Sequence, residues 1–265
     1  MFMCRQLVVL MAVLGFLILM AGCGEDSPDT DATPPTAPVL KPRSVDSLYE
    51  ERGIRPEASG VLSYWIRLEW YLNSEDDLQG YYVYRRGEDE DISPEVYVGN
   101  VVLGEDFFPG EEPYFIDYST GNLRPDPSTG ETRGYYYRVQ AYDESGNVSD
   151  FSPVAYYRLI ANPLSPSVSG YPGEYYLNWT FESGPEVFID YYMLRVWNKD
   201  TGEPMWWTKY SNFGSTHQVL LNEENALEAF ESGQYYVWKI SVIANSNPPE
   251  RSPAGSAVKM EFRYE

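Results

Sequence analysis

Histidine and cysteine, which supply many catalytic and metal-binding groups, are scarce in this chain of 265 residues. Its one histidine, His217, follows Ser215 and Thr216. A serine nucleophile needs an imidazole beside it and an acid that orients the imidazole, and neighbours in sequence do not supply that geometry. We therefore expect His217 to lie at the surface or at a strand edge, and we expect the chain not to be an enzyme.

The two cysteines, Cys4 and Cys23, both lie near the N-terminus, so residues 24–265 cannot form a disulfide among themselves. Arg5 precedes an apolar run at 7–20, which is shorter than the roughly 20 residues that a membrane-spanning helix needs. Small residues at 21 and 22 follow this run. A positive start, a short apolar run and small residues indicate a secretion signal.

Residues 19–23, Leu-Met-Ala-Gly-Cys, resemble the lipobox of bacterial lipoproteins, with Met20 at a position where leucine is commoner. The resemblance implies that residues 1–22 are a signal peptide and that Cys23 receives diacylglycerol and, on its new amine, palmitate or a similar acyl chain. The protein would then be exported and anchored by lipid to a bacterial membrane. Gly24 is not the aspartate that resembles an inner-membrane retention signal, which favours the outer membrane. The alternative is an ordinary signal peptide or an uncleaved anchor.

Residues 23–37 are rich in Asp, Thr, Ser and Pro, which predicts a flexible acidic tether after the lipidated cysteine.

The charge of the chain argues against two classes of partner. The formal net charge is −21, so nucleic acid and anionic lipid headgroups are poor partners on electrostatic grounds.

Four aromatic residues that fall within eight positions are candidates for a binding site: Trp206, Trp207, Tyr210 and Phe213. Neighbouring residues of a strand point to opposite faces, so one of the two tryptophans is expected in a core and the other at the surface. Exposed Trp and Tyr side chains are typical of sugar-binding and protein-binding sheets. The alternative is that this stretch packs against the preceding domain. Trp65 raises the same question earlier in the chain.

The elements that position these groups are strands. In the stretch 134–153, bulky residues alternate with polar ones and are followed by the turn Asp-Glu-Ser-Gly-Asn, which predicts a hairpin. This hairpin resembles the last two strands of a fibronectin type III domain. The resemblance implies that Tyr135 is the tyrosine corner, whose hydroxyl bonds to backbone upstream.

The chain contains this pattern twice. Trp70 and Trp179 resemble the core tryptophan of the family, and Tyr236 repeats Tyr135. We therefore predict an all-β fold of two tandem immunoglobulin-like (fibronectin type III) β-sandwiches, at 38–160 and 161–265. The predicted structural core includes Trp70, Tyr135, Tyr137, Val139, Trp179, Tyr236 and Trp238. Residues 47–60 are predicted to be a polar insertion, and residues 222–231 to contain one helical turn.

In such a sandwich, two acidic turns share one end. Their carboxylates belong to Asp76, Asp77, Asp143 and Glu144. Hard oxygen ligands suit calcium, but neither turn has the alternate-residue spacing of a dedicated calcium loop. The sequence therefore predicts no metal site and no cofactor, and these four residues would hold calcium if any is bound.

These features favour a non-enzymatic, lipid-anchored cell-envelope protein whose domains act as a binding, adhesion or spacer module. The alternative is a glycan-binding module that captures polysaccharide. An exposed row of aromatic rings would favour glycan, whereas an exposed apolar patch would favour a protein partner.

Overall fold

The computed structural model describes residues 31–43, 52–58, 63–88, 95–118, 123, 134–181, 189–211, 214–221, 224, 226–244, 254–256 and 259–265. The predicted signal peptide, Cys23 and Phe213 lie outside the described residues, as does most of the tether. The described residues form fifteen β-strands and no α-helix, so the all-β prediction is confirmed. Within this part of the chain, no helical segment has the length and apolar character needed to cross a bilayer.

The first half of the described chain forms two antiparallel sheets. Its strands are β1 (Arg55–Glu57), β2 (Trp65–Glu69), β3 (Leu78–Gly87), β4 (Val96–Val102), β5 (Tyr114–Asp117), β6 (Tyr135–Asp143) and β7 (Ala155–Tyr157). One sheet has the order β1-β2-β5, and the other has the order β4-β3-β6-β7. The chain thus crosses from one sheet to the other after β2, after β4 and after β5, which is the connectivity of a β-sandwich.

The second half repeats this arrangement. Its strands are β8 (Leu164–Tyr171), β9 (Glu174–Thr180), β10 (Ile189–Asn198), β11 (Pro204–Tyr210), β12 (Thr216–Leu220), β13 (Tyr235–Ala244), β14 (Ala254–Ser256) and β15 (Met260–Arg263). One sheet has the order β12-β9-β8. The other has the order β11-β10-β13, and both β14 and β15 pair with β13. The predicted last strand is therefore present as two short strands.

Each half has its own hydrophobic core between its two sheets. In the first core, Ile66 of β2 shares one cluster with Val83 of β3 and Val139 of β6. Trp70, at the end of β2, is fully buried, and its ring lies 5.2 Å from the ring of Tyr81. The indole thus joins the sheet of β2 to the sheet of β3.

The second core is built in the same way. Leu177 of β9, Leu194 of β10 and Ile240 of β13 belong to one cluster. Trp179 of β9 is buried, and its ring lies 5.3 Å from that of Tyr192 in β10. The two tryptophans that resemble a family core residue therefore occupy equivalent places.

The junction between the cores is tightly packed. Ile160 already belongs to the second core, and the side-chain amide of Asn162 donates to the carbonyl of Ser63 at 2.7 Å. A Cβ atom at Gly255 would lie 2.2 Å from the carbonyl oxygen of Ala161, so only glycine fits there. The predicted boundary between 160 and 161 stays a prediction.

The predicted start of the first domain at residue 38 stays a prediction, but a residue before it contacts the first sandwich. The amide of Thr36 donates to the Glu75 carboxylate at 2.6 Å, and the Asn73 side chain donates to the Thr36 carbonyl at 2.8 Å. The turn after β2 therefore holds residues that the sequence assigned to the tether.

One local prediction is wrong, and a second holds only in part. Strand β1 lies inside the stretch predicted as a polar insertion, where Arg55 forms a buried ion pair with Glu69 of β2 at 2.8 Å. In the predicted helical turn at 222–231, Glu224 has 3₁₀ conformation, and the described residues after it make an extended contact instead. Ala226 forms a β-bridge with Trp206, and the amide of Leu227 donates to the Met205 carbonyl at 2.8 Å.

Two serines in the segment between β6 and β7 form hydrogen bonds with the backbone of β6. The amides of Ser149 and Ser152 donate to the carbonyls of Ala141 and Val139, at 2.9 and 2.8 Å. Their hydroxyls accept from the amides of the same two β6 residues, at 2.9 and 3.0 Å. Both serines are buried, so their side chains take the place of backbone acceptors that this irregular segment cannot offer.

We expect Ser149→Ala and Ser152→Ala each to lower the free energy of unfolding by about 1–3 kcal/mol, because each change leaves a buried amide of β6 without its acceptor. Urea unfolding of the mature chain would measure this loss. Ser145→Ala, in the exposed turn after β6, is the matched control and should change stability by less than about 0.5 kcal/mol. Losses no larger than that of the control would contradict this account of the serines.

Candidate binding surfaces

Aromatic side chains cover the outer surface of the β4-β3-β6 sheet. Along β3, Val83 packs in the core, so its neighbours Tyr82 and Tyr84 lie on the opposite surface. Residues from β4, from β6 and from the segment after β6 join them there. We call this surface the tyrosine face, and its members are Tyr82, Tyr84, Tyr97, Tyr142 and Phe151.

The rings of the tyrosine face pack on one another. Tyr82 and Tyr142 are stacked, with ring centroids 4.2 Å apart and planes 12° from parallel. Tyr97 lies edge-on to both Tyr82 and Tyr84, at 6.0 Å from each. Phe151 lies edge-on to Tyr84 at 5.2 Å. Because each ring is held by its neighbours, the surface is preorganised before any partner arrives.

The tyrosine face is partly open to solvent. Tyr97 is 51% exposed and Phe151 is 38% exposed, whereas Tyr142, stacked on Tyr82, is buried. Burial, and then the neighbouring phenols Tyr82 and Tyr97, raise the pKa of Tyr84 above its ordinary value. Burial likewise raises the pKa of Tyr142. These hydroxyls are therefore protonated at neutral pH and can donate hydrogen bonds.

Charges at the border of the tyrosine face balance each other. The guanidinium of Arg138 lies 5.6 Å from the centroid of the Phe151 ring and forms an ion pair with Glu95 at 3.2 Å. The face therefore has less negative character than the −21 charge of the whole chain suggests. It can take a partner without strong electrostatic repulsion.

Sequence reasoning missed all five members of the tyrosine face. Alternation along β3 could have placed Tyr82 and Tyr84 on the outer surface, because they flank the core residue Val83. Tyr97 joins them because it is the register partner of Tyr84 in β4, and register is not visible in the sequence pattern.

The predicted binding residues around Trp206 lie on different surfaces of β11 in the structure. Trp206 is fully buried in the second core, and Tyr210 packs edge-on against Trp179 at 5.6 Å. Trp207 lies on the other surface of β11, half-buried against Met193 of β10 and a second buried residue, Ile243 of β13. Among the described members of the set, Trp207 is therefore the one that lies outside the second core.

Trp65 lies on the outer surface of β2, where it is half-buried. Its ring contacts that of Tyr118 edge-on, at 4.7 Å. This sheet surface also carries Arg67, whose guanidinium lies 3.7 Å from the Tyr114 ring and 3.1 Å from Glu69. The structure thus places Trp65 apart from the tyrosine face, on the opposite sheet.

The acidic turns meet as the sandwich requires. Carboxylate oxygens of Asp77 and Asp143 lie within 4.8 Å of each other, and the amide of Glu144 donates to the Asp77 carbonyl at 3.0 Å. Asp143 is buried and accepts from the amide and side chain of Asn147, at 2.8 and 2.9 Å. Asp76 adjoins the same turn. The Asp143 oxygens are therefore used to close the turn after β6.

All seven residues predicted for the structural core are buried: Trp70, Tyr135, Tyr137, Val139, Trp179, Tyr236 and Trp238. The hydroxyl of Tyr236 accepts a hydrogen bond from the Glu231 amide at 2.8 Å, as expected of a tyrosine corner. For Tyr135, the upstream stretch 124–133 lies outside the described residues. Tyr137 instead donates to Asp117, which also pairs with Arg85 at 2.6 Å.

His217 lies on β12, which is the outer strand of its sheet, but its ring is only 1% exposed. The predicted strand-edge position therefore holds, but the ring is not at the surface, because it stacks on Trp179 at 4.9 Å and the Tyr192 hydroxyl lies 3.1 Å from its Nε2. Burial lowers the pKa of His217, although a hydrogen bond with the Gly214 backbone partly opposes this. The imidazole is therefore a neutral core group at pH 7.

No protein-family model matches the chain, and no curated protein matches it. It is similar to the solved FN1–FN3 domains of chicken CNTN1, at 15% identity over 87% of this chain and 67% of that chain, with a TM-score of 0.34. It is also similar to the Clostridium perfringens spore cortex lytic enzyme SleM, at 20% identity over 48% of this chain and 29% of that chain, with a TM-score of 0.27. Neither similarity assigns a function.

Stability should fall when His217 becomes protonated. In the unfolded chain its pKa is about 6.5, and the folded pKa is lower, so below about pH 6.5 the unfolded state binds the proton more readily. We expect the free energy of unfolding to drop by up to about 1.4 kcal/mol per pH unit in the window just below 6.5. Urea unfolding of the chain between pH 7.5 and 5.5 would measure this slope.

His217→Gln is the control for this pH dependence, since no other histidine is present. Whatever its stability at pH 7.5, the variant should show a nearly flat profile over the same range. An equal slope in the variant would show that another group is responsible.

Proposed function

We propose that this protein is a non-enzymatic, lipid-anchored binding module that holds a protein partner on the tyrosine face. The observation that carries the proposal is a packed set of five aromatic side chains on an outer sheet surface, of which Tyr97 and Phe151 are the most exposed. Large, rigid side chains with polar tips supply contact area at a low cost in conformational entropy, as in antibody combining sites.

The ring geometry favours a protein over a sugar at this surface. Tyr82 and Tyr142 turn their ring faces toward each other, and Tyr97 and Phe151 stand edge-on to their neighbours. The ring faces on which a sugar would stack are therefore partly used within the cluster. Ring edges and hydroxyls remain, and these suit the mixed apolar and hydrogen-bonding contacts of protein interfaces.

We further infer that both halves are domains of the fibronectin type III kind. The sheet orders β1-β2-β5 and β4-β3-β6-β7 recur as β8-β9-β12 and β11-β10-β13-β14, and the hydrogen bond at Tyr236 supports the resemblance. The lipid on Cys23 would hold the domains at a bacterial membrane, with the outer membrane favoured by Gly24. A pure spacer needs no exposed aromatic cluster, so the tyrosine face favours binding.

Tyr97→Ala combined with Phe151→Ala should weaken capture of the partner by at least about tenfold, because large aromatic residues dominate the binding energy of protein interfaces. Detergent-solubilised envelope from the producing bacterium, passed over the immobilised mature chain, would provide the readout. The melting temperature should change little, since both side chains are among the exposed ones.

Tyr71→Ala is the matched control for that experiment, because Tyr71 is 49% exposed and lies outside the tyrosine face. It should leave capture unchanged. Equal capture by the control and by the double variant, with both folded, would overturn the proposal.

Cys23→Ser should release the protein from the membrane fraction or leave it as an unprocessed precursor, since serine offers no thiol for the diacylglycerol. Fractionation of producing cells and the mass of the N-terminal peptide would measure this. Cys4→Ser, within the segment that would be removed, is the control and should leave anchoring intact. Normal processing and unchanged membrane retention of the Cys23 variant would contradict the lipoprotein assignment.

A further inference from the structure

A separate groove lies beside β11 in the second half of the chain. It has a volume of about 320 Å³ and lies between β11 and the segment that forms the bridge to Trp206. Its lining residues are Trp207, Thr208, Lys209, Glu224, Ala226 and Leu227. This volume is at the lower end of pockets that hold small ligands, so the groove suits one or two small rings better than a protein segment.

The aromatic wall of the groove is fixed from behind. Trp207 packs against the cluster of Met193 and Ile243, both of which are buried, and Tyr191 packs against the same cluster. The ammonium of Lys209 lies 4.6 Å from the centroid of the Tyr191 ring, which restrains the second lining side chain. Because the indole is supported on one side and lines the groove, it is a preformed platform for a flat ligand.

The aromatic wall is bordered by one basic, one acidic and one uncharged polar side chain. Lys209 provides hydrogen-bond donors, Glu224 provides acceptors, and the hydroxyl of Thr208 can do either. The two formal charges cancel, so the lining does not select for a charged ligand. A pyranose ring has an apolar C–H face and a rim of hydroxyls that both donate and accept, which matches an indole bordered by such groups.

The net charge of the whole protein favours one class of sugar over another. At −21, the chain repels polyanions such as uronic acid polymers, so an uncharged sugar is favoured. We propose that the groove beside Trp207 binds an uncharged pyranose unit of a polysaccharide. This site is independent of the tyrosine face, because it lies on the other sandwich and uses none of its residues.

Titration of the mature chain with a panel of neutral hexasaccharides of glucose, mannose, galactose, xylose and N-acetylglucosamine would test the site. Calorimetry would give affinities, and tryptophan fluorescence would report contact with an indole. At least one neutral member should bind, and Trp207→Ala should weaken that binding at least tenfold. Trp65→Ala, a half-buried tryptophan of the first half, should leave it unchanged.

The variants Lys209→Gln and Glu224→Gln test the site even if the Trp207 variant misfolds, because both side chains are exposed. Each should weaken binding severalfold without changing the melting temperature. Tyr97→Ala should leave sugar binding intact, so the failure of this site is distinguishable from failure of the proposed protein-binding surface. The proposal is overturned if no neutral hexasaccharide binds, if oligogalacturonate binds better, or if binding survives Trp207→Ala.

Discussion

The structure depends on one repeated contact, in which a buried indole packs against a tyrosine of the opposite sheet. Trp70 and Tyr81 make this contact in the first half at 5.2 Å, and Trp179 and Tyr192 make it in the second at 5.3 Å. No cysteine follows Cys23, so no disulfide can substitute for it. Loss of such a ring from a core removes about 3–5 kcal/mol, which is a large part of the stability of a small domain.

The same contact determines which aromatic side chains can face outward. Once the indole fixes the inner surface of each sheet, strand alternation sends every second residue to the outside. In the first half, the outward residues of β3 and β4 are tyrosines that cover one another and remain partly exposed. In the second half, Met193 and Ile243 form a small buried cluster on the outward side of the sheet, and Trp207 packs against it beside a groove. The two halves therefore share a fold but offer different surfaces.

Much of the fold could be predicted because it rests on local patterns. The alternation in 134–153, the two tryptophans and the corner tyrosine at 236 are all visible in the sequence. The buried state of His217 was not predictable, because it depends on a stacking contact with Trp179 from the neighbouring strand. The tyrosine face was missed for a similar reason, since Tyr97 and Phe151 reach it through register and through an irregular segment.

We propose that a partner covers the tyrosine face when the protein is in the producing cell. Hydroxyl-radical labelling, read residue by residue by mass spectrometry, can compare the purified mature chain with the same chain in intact producing cells. If a partner covers this surface, Tyr97 and Phe151 are labelled strongly in the purified chain and are protected in cells. Tyr71 and Tyr235, with similar exposure, are labelled alike in both. Equal labelling of Tyr97 and Phe151 in both samples would contradict the proposal.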